Sequence, residues 1–160
     1  MSDLLVKLYE LPDPAPFLER AASHGVEVRR PLAPDRYAVV NWVSRHFGDR
    51  WGGESAMAFS GHPIGCFVAA NAGGEIVGFA CYNATFKGFF GPTGVLDNWR
   101  GKSVGTALLA SALHALSESG HAYAIIGGVS EETSPYYEQT VGAIPIPGST
   151  PGPYRPKLIG

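Results

Sequence analysis

Asn98-Trp99-Arg100-Gly101-Lys102-Ser103-Val104-Gly105 puts two cations and two glycines where a strand-like run ends and a helical one begins. A short glycine-containing loop that opens into a helix aims unpaired backbone N–H groups outward, and the positive end of the helix dipole reinforces them. With Arg100 and Lys102 beside those donors, the segment has the makings of an anion site suited to a pyrophosphate. An ordinary strand-to-helix turn with a solvated Arg-Gly-Lys fits the same residues, because short glycine motifs recur by chance. Gly101-Lys102-Ser103 also looks like the end of a nucleotide-binding P-loop, but that motif requires a glycine where this chain has Leu96.

The elements that must hold this loop can be read from periodicity. Phe89 to Leu96 is β-prone, although Gly91, Pro92 and Gly94 within it predict a bulge or an irregular edge. After Lys102, Val104, Leu108, Ala112 and Leu116 recur every four residues, and Leu109 and Leu113 widen the stripe, until Gly120 ends the helix. Tyr123 to Val129 is a nearly unbroken apolar run of strand length, the pattern of a strand covered on both faces. Strand, helix and strand then make a crossover unit. Upstream, Phe67–Ala70 and Ile76–Tyr82 flank the turn signal Asn71-Ala72-Gly73-Gly74 and predict an antiparallel hairpin. Helices are expected from Asp35, as N-cap, to Phe47, from Trp51 to Phe59, and from Ser134 to Val141 with Pro135 in its first turn. The opening strand-like run Leu4–Leu8 and a helix from Pro14 to Ser23, closed by Gly25, are set apart as an N-terminal extension. Val26 to Arg30 begins the main domain as a strand. The Pro147 to Tyr154 segment is a Pro-Gly-rich tail.

Composition narrows the function classes. A chain of 160 residues with 45% hydrophobic residues supports one core, and a formal net charge of −2 with no basic excess argues against nucleic acid or an anionic membrane as partner. No apolar run approaches the length of a membrane span, and Met1 to Glu10 lacks the pattern of a secretory leader, so a cytoplasmic location is expected. Cys66 and Cys81 are too few for a disulfide framework and read as reduced, buried residues. The histidines at 24, 46, 62, 114 and 121 have no ligand-type spacing, and no metal is expected.

Val95-Leu96-Asp97-Asn98-Trp99-Arg100-Gly101-Lys102-Ser103-Val104-Gly105-Thr106-Ala107-Leu108-Leu109 resembles the acetyl-CoA motif of the GNAT N-acetyltransferases. That motif runs Arg or Gln, two residues, Gly, one residue, Gly or Ala; Arg100 and Gly105 match, and Ser103 stands where the middle glycine is usual. A second match is Pro135-Tyr136-Tyr137-Glu138 before Gly142-Ala143, which is similar to the family's Tyr-Glu helix, with one extra residue before Gly142. The resemblance covers about Val26 to Ile146. It implies an α/β (α+β) GNAT fold whose mixed central sheet splays between its fourth and fifth core strands, with helices on both faces. The domain would run 26–160 behind the 1–25 extension packed on it.

The resemblance further implies acetyl-CoA as cofactor. Its pantetheine arm would pair with backbone near Val95 and Leu96, and its pyrophosphate would lie on Arg100, Gly101, Lys102, Ser103, Val104, Gly105 and Thr106. In this family an amine attacks the thioester directly, so the protein orients two reactants and moves protons. Tyr137 is the family-matched general acid. For the base, Glu131, Glu132 and Glu54 are candidates, with Glu131 foremost. The acceptor pocket would draw on the Trp42 to Glu54 segment and the Pro147 to Tyr154 tail, with Trp51, Glu54 and Tyr154 as substrate contacts and Trp42 and Phe47 as further aromatic walls. The expected activity is N-acetylation of a small-molecule primary amine. Acetylation of a protein or peptide amine is the alternative, as is a degenerate acyl-CoA sensor without turnover. The family often forms homodimers.

Overall fold

A computed structural model describes residues 1–160. In chain order it contains β1 (Ser2–Lys7), α1 (Ala15–Ser23), β2 (Glu27–Arg29), α2 (Arg36–Phe47), α3 (Asp49–Ala58), β3 (Cys66–Ala70), β4 (Ile76–Tyr82), β5 (Phe89–Val95), α4 (Val104–Glu118), β6 (Tyr123–Val129), α5 (Ser134–Val141) and β7 (Ile144–Pro145), with short 3-10 turns between. The strands form one mixed sheet in the order β2-β3-β4-β5-β6-β1-β7.

Alternation along the strands sends side chains to two cores. Cys66, Val68, Phe79 and Cys81 pack under α2 and α3, whereas Ala69, Ala80 and Tyr82 join the larger core that holds Leu108, Leu109, Leu113 and Leu116 of α4. Those leucines are almost completely inaccessible, which explains the four-residue repeat in the sequence. Helices therefore cover both faces. Cys66 registers opposite Cys81 across β3 and β4, both buried with free thiols. No helix is long and apolar enough to cross a membrane.

Two features differ from the expectations. Asp35 does not cap α2 with its side chain; its Oδ2 instead accepts the Leu32 N–H at 2.8 Å, closing the turn ahead of the helix. The first 25 residues, set apart above, supply a strand inside the sheet. β1 pairs antiparallel with β6 on one side and with β7 on the other, and it buries Leu4 and Val6 completely. Alternation in so short a run reveals an apolar strand but not its neighbours.

The sheet parts between β5 and β6. These parallel strands are seven residues each, yet they register only at Phe89 with Ile125 and Phe90 with Ile126. Beyond that point each strand bulges toward its other neighbour. β5 carries one extra residue where Ala80 pairs with Thr93 but Tyr82 pairs with Phe90, around Gly91 at φ 119° and Pro92. β6 carries one extra residue where Ser2 pairs with Val129 but Leu4 pairs with Ile126, around Gly127 and Gly128, the latter at φ 64°. A positive φ is cheap only for glycine, and Pro92 has no N–H to offer β6, so the residue types of both strands favour the parting.

Candidate active site

The gap between β5 and β6 opens on one side into a cleft of about 670 Å³. Val95, Arg100, Gly101, Ser103, Val104, Gly105 and Thr106 line it, together with Tyr136 and Tyr137 of α5. The donors expected of the loop are in place. Backbone hydrogen bonds run up to the Arg100 N–H, which donates to Asp97 O at 3.3 Å, and resume at the Ala107 N–H, which donates to Ser103 O at 2.9 Å. The N–H groups from Gly101 to Thr106 are left without a protein acceptor, at the positive end of the fifteen-residue α4. Gly101 at φ 76° and Ser103 at φ 62° both adopt the left-handed conformation that curls the loop.

Leu96 and Lys102 stand apart from the other cofactor candidates. The Leu96 N–H donates to Val77 O and its carbonyl accepts the Trp99 N–H, both at 2.9 Å, so neither group is free to pair with a ligand. The Lys102 ammonium donates to Asn98 O at 3.3 Å and lies 5.9 Å from the Trp99 ring centre, folded back on its own loop. Sequence spacing cannot tell which way such a side chain turns. Arg100 is exposed and meets Asp97 at 3.5 Å, and it lines the cleft.

α5 closes the cleft with two tyrosines whose rings are 5.1 Å apart. The Tyr136 hydroxyl shares a 2.8 Å hydrogen bond with Thr106 Oγ1, tying α5 to the start of α4. Tyr137 is 8% exposed and its hydroxyl makes no hydrogen bond within the protein. Burial, reinforced by the neighbouring Tyr136, pushes its pKa up to about 12, so it is a protonated donor at any ordinary pH. Tyr137 lines both this cleft and a second cavity on the far side of the gap, and so stands where the two meet.

That second cavity, about 280 Å³, runs past Phe90, Gly91, Pro92, Gly127 and Gly128 into a third of about 320 Å³. Trp51, Glu54 and Tyr154, the three residues expected to meet the acceptor, all line the third cavity. The Trp51 ring stacks on Phe47 at 5.6 Å and 28°. Thr85 Oγ1 donates to the Glu54 carboxylate. The Tyr154 hydroxyl lies so close over Gly127 that a Cβ there would overlap it, and burial raises its pKa, with Asp3 and Glu54 adding to the rise. Trp42 is directed instead into the α2–α3 aromatic cluster around Phe79. Glu131 and Glu132 are exposed on the turn after β6 and line none of these three cavities; the apolar run placed them correctly along the chain, but the turn carries them outward.

Three further residues contribute that the sequence did not single out. Thr85 and Phe89 line the third cavity from the loop before β5 and from its start. Asp3, 6% exposed, accepts the Gly128 N–H on Oδ1 at 2.8 Å, while its own N–H donates to Ser149 Oγ at 2.9 Å and its carbonyl accepts the Ile146 N–H at 2.9 Å. One residue of β1 thus holds both the β6 bulge and the tail that carries Tyr154. The Gly127-Gly128 pair was the available signal for that bulge.

Comparison with known families matches residues 36–142 to the acetyltransferase (GNAT) family. Comparison with curated protein sequences returns no match. Among solved structures, the chain is similar to the glucosamine N-acetyltransferase region of a fungal multi-domain GH3 β-N-acetylglucosaminidase, at TM-score 0.73 and 15% identity over 91% of this chain and 19% of that one. It is similar to a GCN5-related N-acetyltransferase from Sphaerobacter thermophilus, at TM-score 0.70 and 20% identity over 91% of this chain and 48% of that one. A GNAT family acetyltransferase from Brucella melitensis, solved in complex with acetyl-CoA, aligns at TM-score 0.52 and 18% identity over 71% of this chain and 82% of that one. The chain therefore spans about a fifth and about half of the first two of these structures.

Proposed function

The chain belongs to the GNAT acetyltransferase family, and from that premise we propose that it is an acetyl-CoA-dependent N-acetyltransferase acting on a primary amine of a small molecule. The observation that carries the proposal is the run of unpartnered N–H groups from Gly101 to Thr106 at the mouth of the parted sheet, which fits a pyrophosphate. When bound, acetyl-CoA supplies the thioester whose acetyl group passes to the amine.

The roles of the chain's own residues follow from their positions. Arg100, Gly101, Ser103, Val104, Gly105 and Thr106 hold the diphosphate, and Val95 borders the path of the pantetheine arm. The Tyr137 hydroxyl, free of internal partners and kept protonated by burial, gives its proton to the departing sulfur. Trp51, Glu54 and Tyr154 receive the acceptor from the opposite side of the gap. Glu131, exposed and outside the cavities, is assigned no step.

The test is calorimetric titration with acetyl-CoA, followed by thiol release against a panel of amines. Binding with turnover is expected; absence of binding sinks the proposal. Arg100→Glu should weaken acetyl-CoA affinity by about tenfold or more through repulsion at the diphosphate while the circular dichroism spectrum stays unchanged. An unchanged affinity would show that the cofactor lies elsewhere.

A further inference from the structure

Glu54 is the one carboxylate that lines the acceptor cavities, and it has no cationic partner. The ion pairs of the molecule are Lys7 with Glu10 and Arg100 with Asp97. Arg50, one helical turn before Glu54, shares the cavity rim but is exposed and forms no pair with it. The hydrogen bond donated by Thr85 orients the carboxylate without neutralising it. Around it stand the rings of Trp51, Phe89 and Tyr154, and Phe86 packs behind Phe89 and Tyr154 with ring centres 5.1 and 5.9 Å away. A half-buried carboxylate walled by aromatic faces is the chemistry that binds an organic cation.

Position decides which cation. Tyr137 lines the middle cavity but not the one that holds Glu54, and Glu54 lines the outer cavity but not the middle one. Glu54 and Tyr137 thus line no cavity in common, and the carboxylate is set apart from the point where an amine must meet the thioester. It suits a second positive group at the other end of the acceptor.

We propose that the acceptor is a small linear diamine whose distal ammonium is held by Glu54 between Trp51 and Tyr154, while its near amine is acetylated beside Tyr137; this rests on the acetyltransferase reading above. In the transfer, the neutral near nitrogen forms the C–N bond as the C–S bond breaks, and the proton lost by nitrogen balances the one gained by sulfur. The distal ammonium keeps its proton throughout, so it is recognised and not consumed. Tyr154, lying over Gly127, borders the outer cavity beside Glu54.

The experiment compares kcat/KM for diaminobutane with that for butylamine by thiol release, in the native protein and in Glu54→Gln. The variant keeps the side chain's shape and its ability to accept from Thr85. The native protein should favour the diamine by about tenfold or more, since a charge-assisted contact is lost with the monoamine, and the variant should bring the ratio close to one. Equal kcat/KM for the two amines in the native protein overturns the proposal, and needs no variant to be seen. So does a ratio that survives in Glu54→Gln, or a variant slowed equally on both amines, which would mark Glu54 as a proton acceptor for the attacking nitrogen. If neither amine releases thiol while another amine of the panel does, the diamine proposal is overturned and the transferase reading stands; if no amine of the panel does, the transferase reading has failed, and calorimetric titration of diaminobutane decides the site alone: binding weakened in Glu54→Gln upholds it, and no binding overturns it.

Discussion

At the scale of single residues, Tyr137 and Ser103 show how environment changes what a side chain can do. Tyr137 is raised from 10.0 to about 12 chiefly by burial, so the folded protein binds its phenolic proton more tightly than the unfolded chain does. The stabilisation this gives is complete below pH 10 and is lost as pH rises from 10 towards 12, by about 2–3 kcal/mol. Denaturant unfolding across that interval should show Tyr137→Phe losing less stability than the native protein. At neutral pH the same variant should lower kcat by roughly a hundredfold and change acetyl-CoA affinity little, as expected for a missing general acid. Equal turnover would remove Tyr137 from the mechanism. Ser103 sits at φ 62°, a conformation that costs a side-chain-bearing residue about 1–2 kcal/mol. Ser103→Gly should therefore raise unfolding stability by about 1 kcal/mol and tighten acetyl-CoA binding, because the backbone of the loop could approach a phosphate more closely. A lowered melting temperature would mean that the serine makes a compensating contact.

Among the elements, β5 and β6 matter most, because the candidate site forms where they stop pairing. The bulge in β5 is legible in Gly91, Pro92 and Gly94, and the one in β6 in Gly127 and Gly128, but only the register of their other neighbours shows that the two lie side by side. Gly94 is small for a second reason: a Cβ there would lie 2.6 Å from the Phe47 ring. Gly127 likewise leaves room for the Tyr154 hydroxyl. Gly127→Ala should displace the tail and raise KM for the amine severalfold, with acetyl-CoA affinity unchanged, since that residue does not line the cofactor cleft. A matching loss of cofactor binding would show that the two sides of the gap are not separable. In α4, Leu108 is fully buried beneath the sheet, and Leu108→Ala should cost about 2–5 kcal/mol in denaturant unfolding.

For the molecule as a whole, strand β1 and the 149–154 tail meet beside the candidate site. β1 fills the sheet between β6 and β7, Asp3 secures the β6 bulge, and Ser149 and Thr150 bond back to Asp3 and Met1. Removing residues 1–8 would expose the inner edge of β6, free β7 and release the Tyr154 tail together. The shortened chain should lose its cooperative thermal transition, whereas an independent extension could be removed with the transition intact.

What could be read from the chain alone was whatever depends on local pattern. The period of α4 follows from Val104, Leu108, Ala112 and Leu116, the β3–β4 hairpin from its Asn-Ala-Gly-Gly turn, and the anion loop from Arg100 to Gly105, because each is set by residues close in sequence. Tertiary structure decided the rest. It placed Asp3 against Gly128 and Tyr154 over Gly127, folded Lys102 back on its loop, tied up the Leu96 backbone within the protein, and left Glu131 in solvent while bringing Glu54 to the cavity that Trp51 and Tyr154 line. Those outcomes depend on strand order and side-chain direction, which can bring together residues as far apart as Asp3 and Gly128 and leave no periodic trace in the sequence.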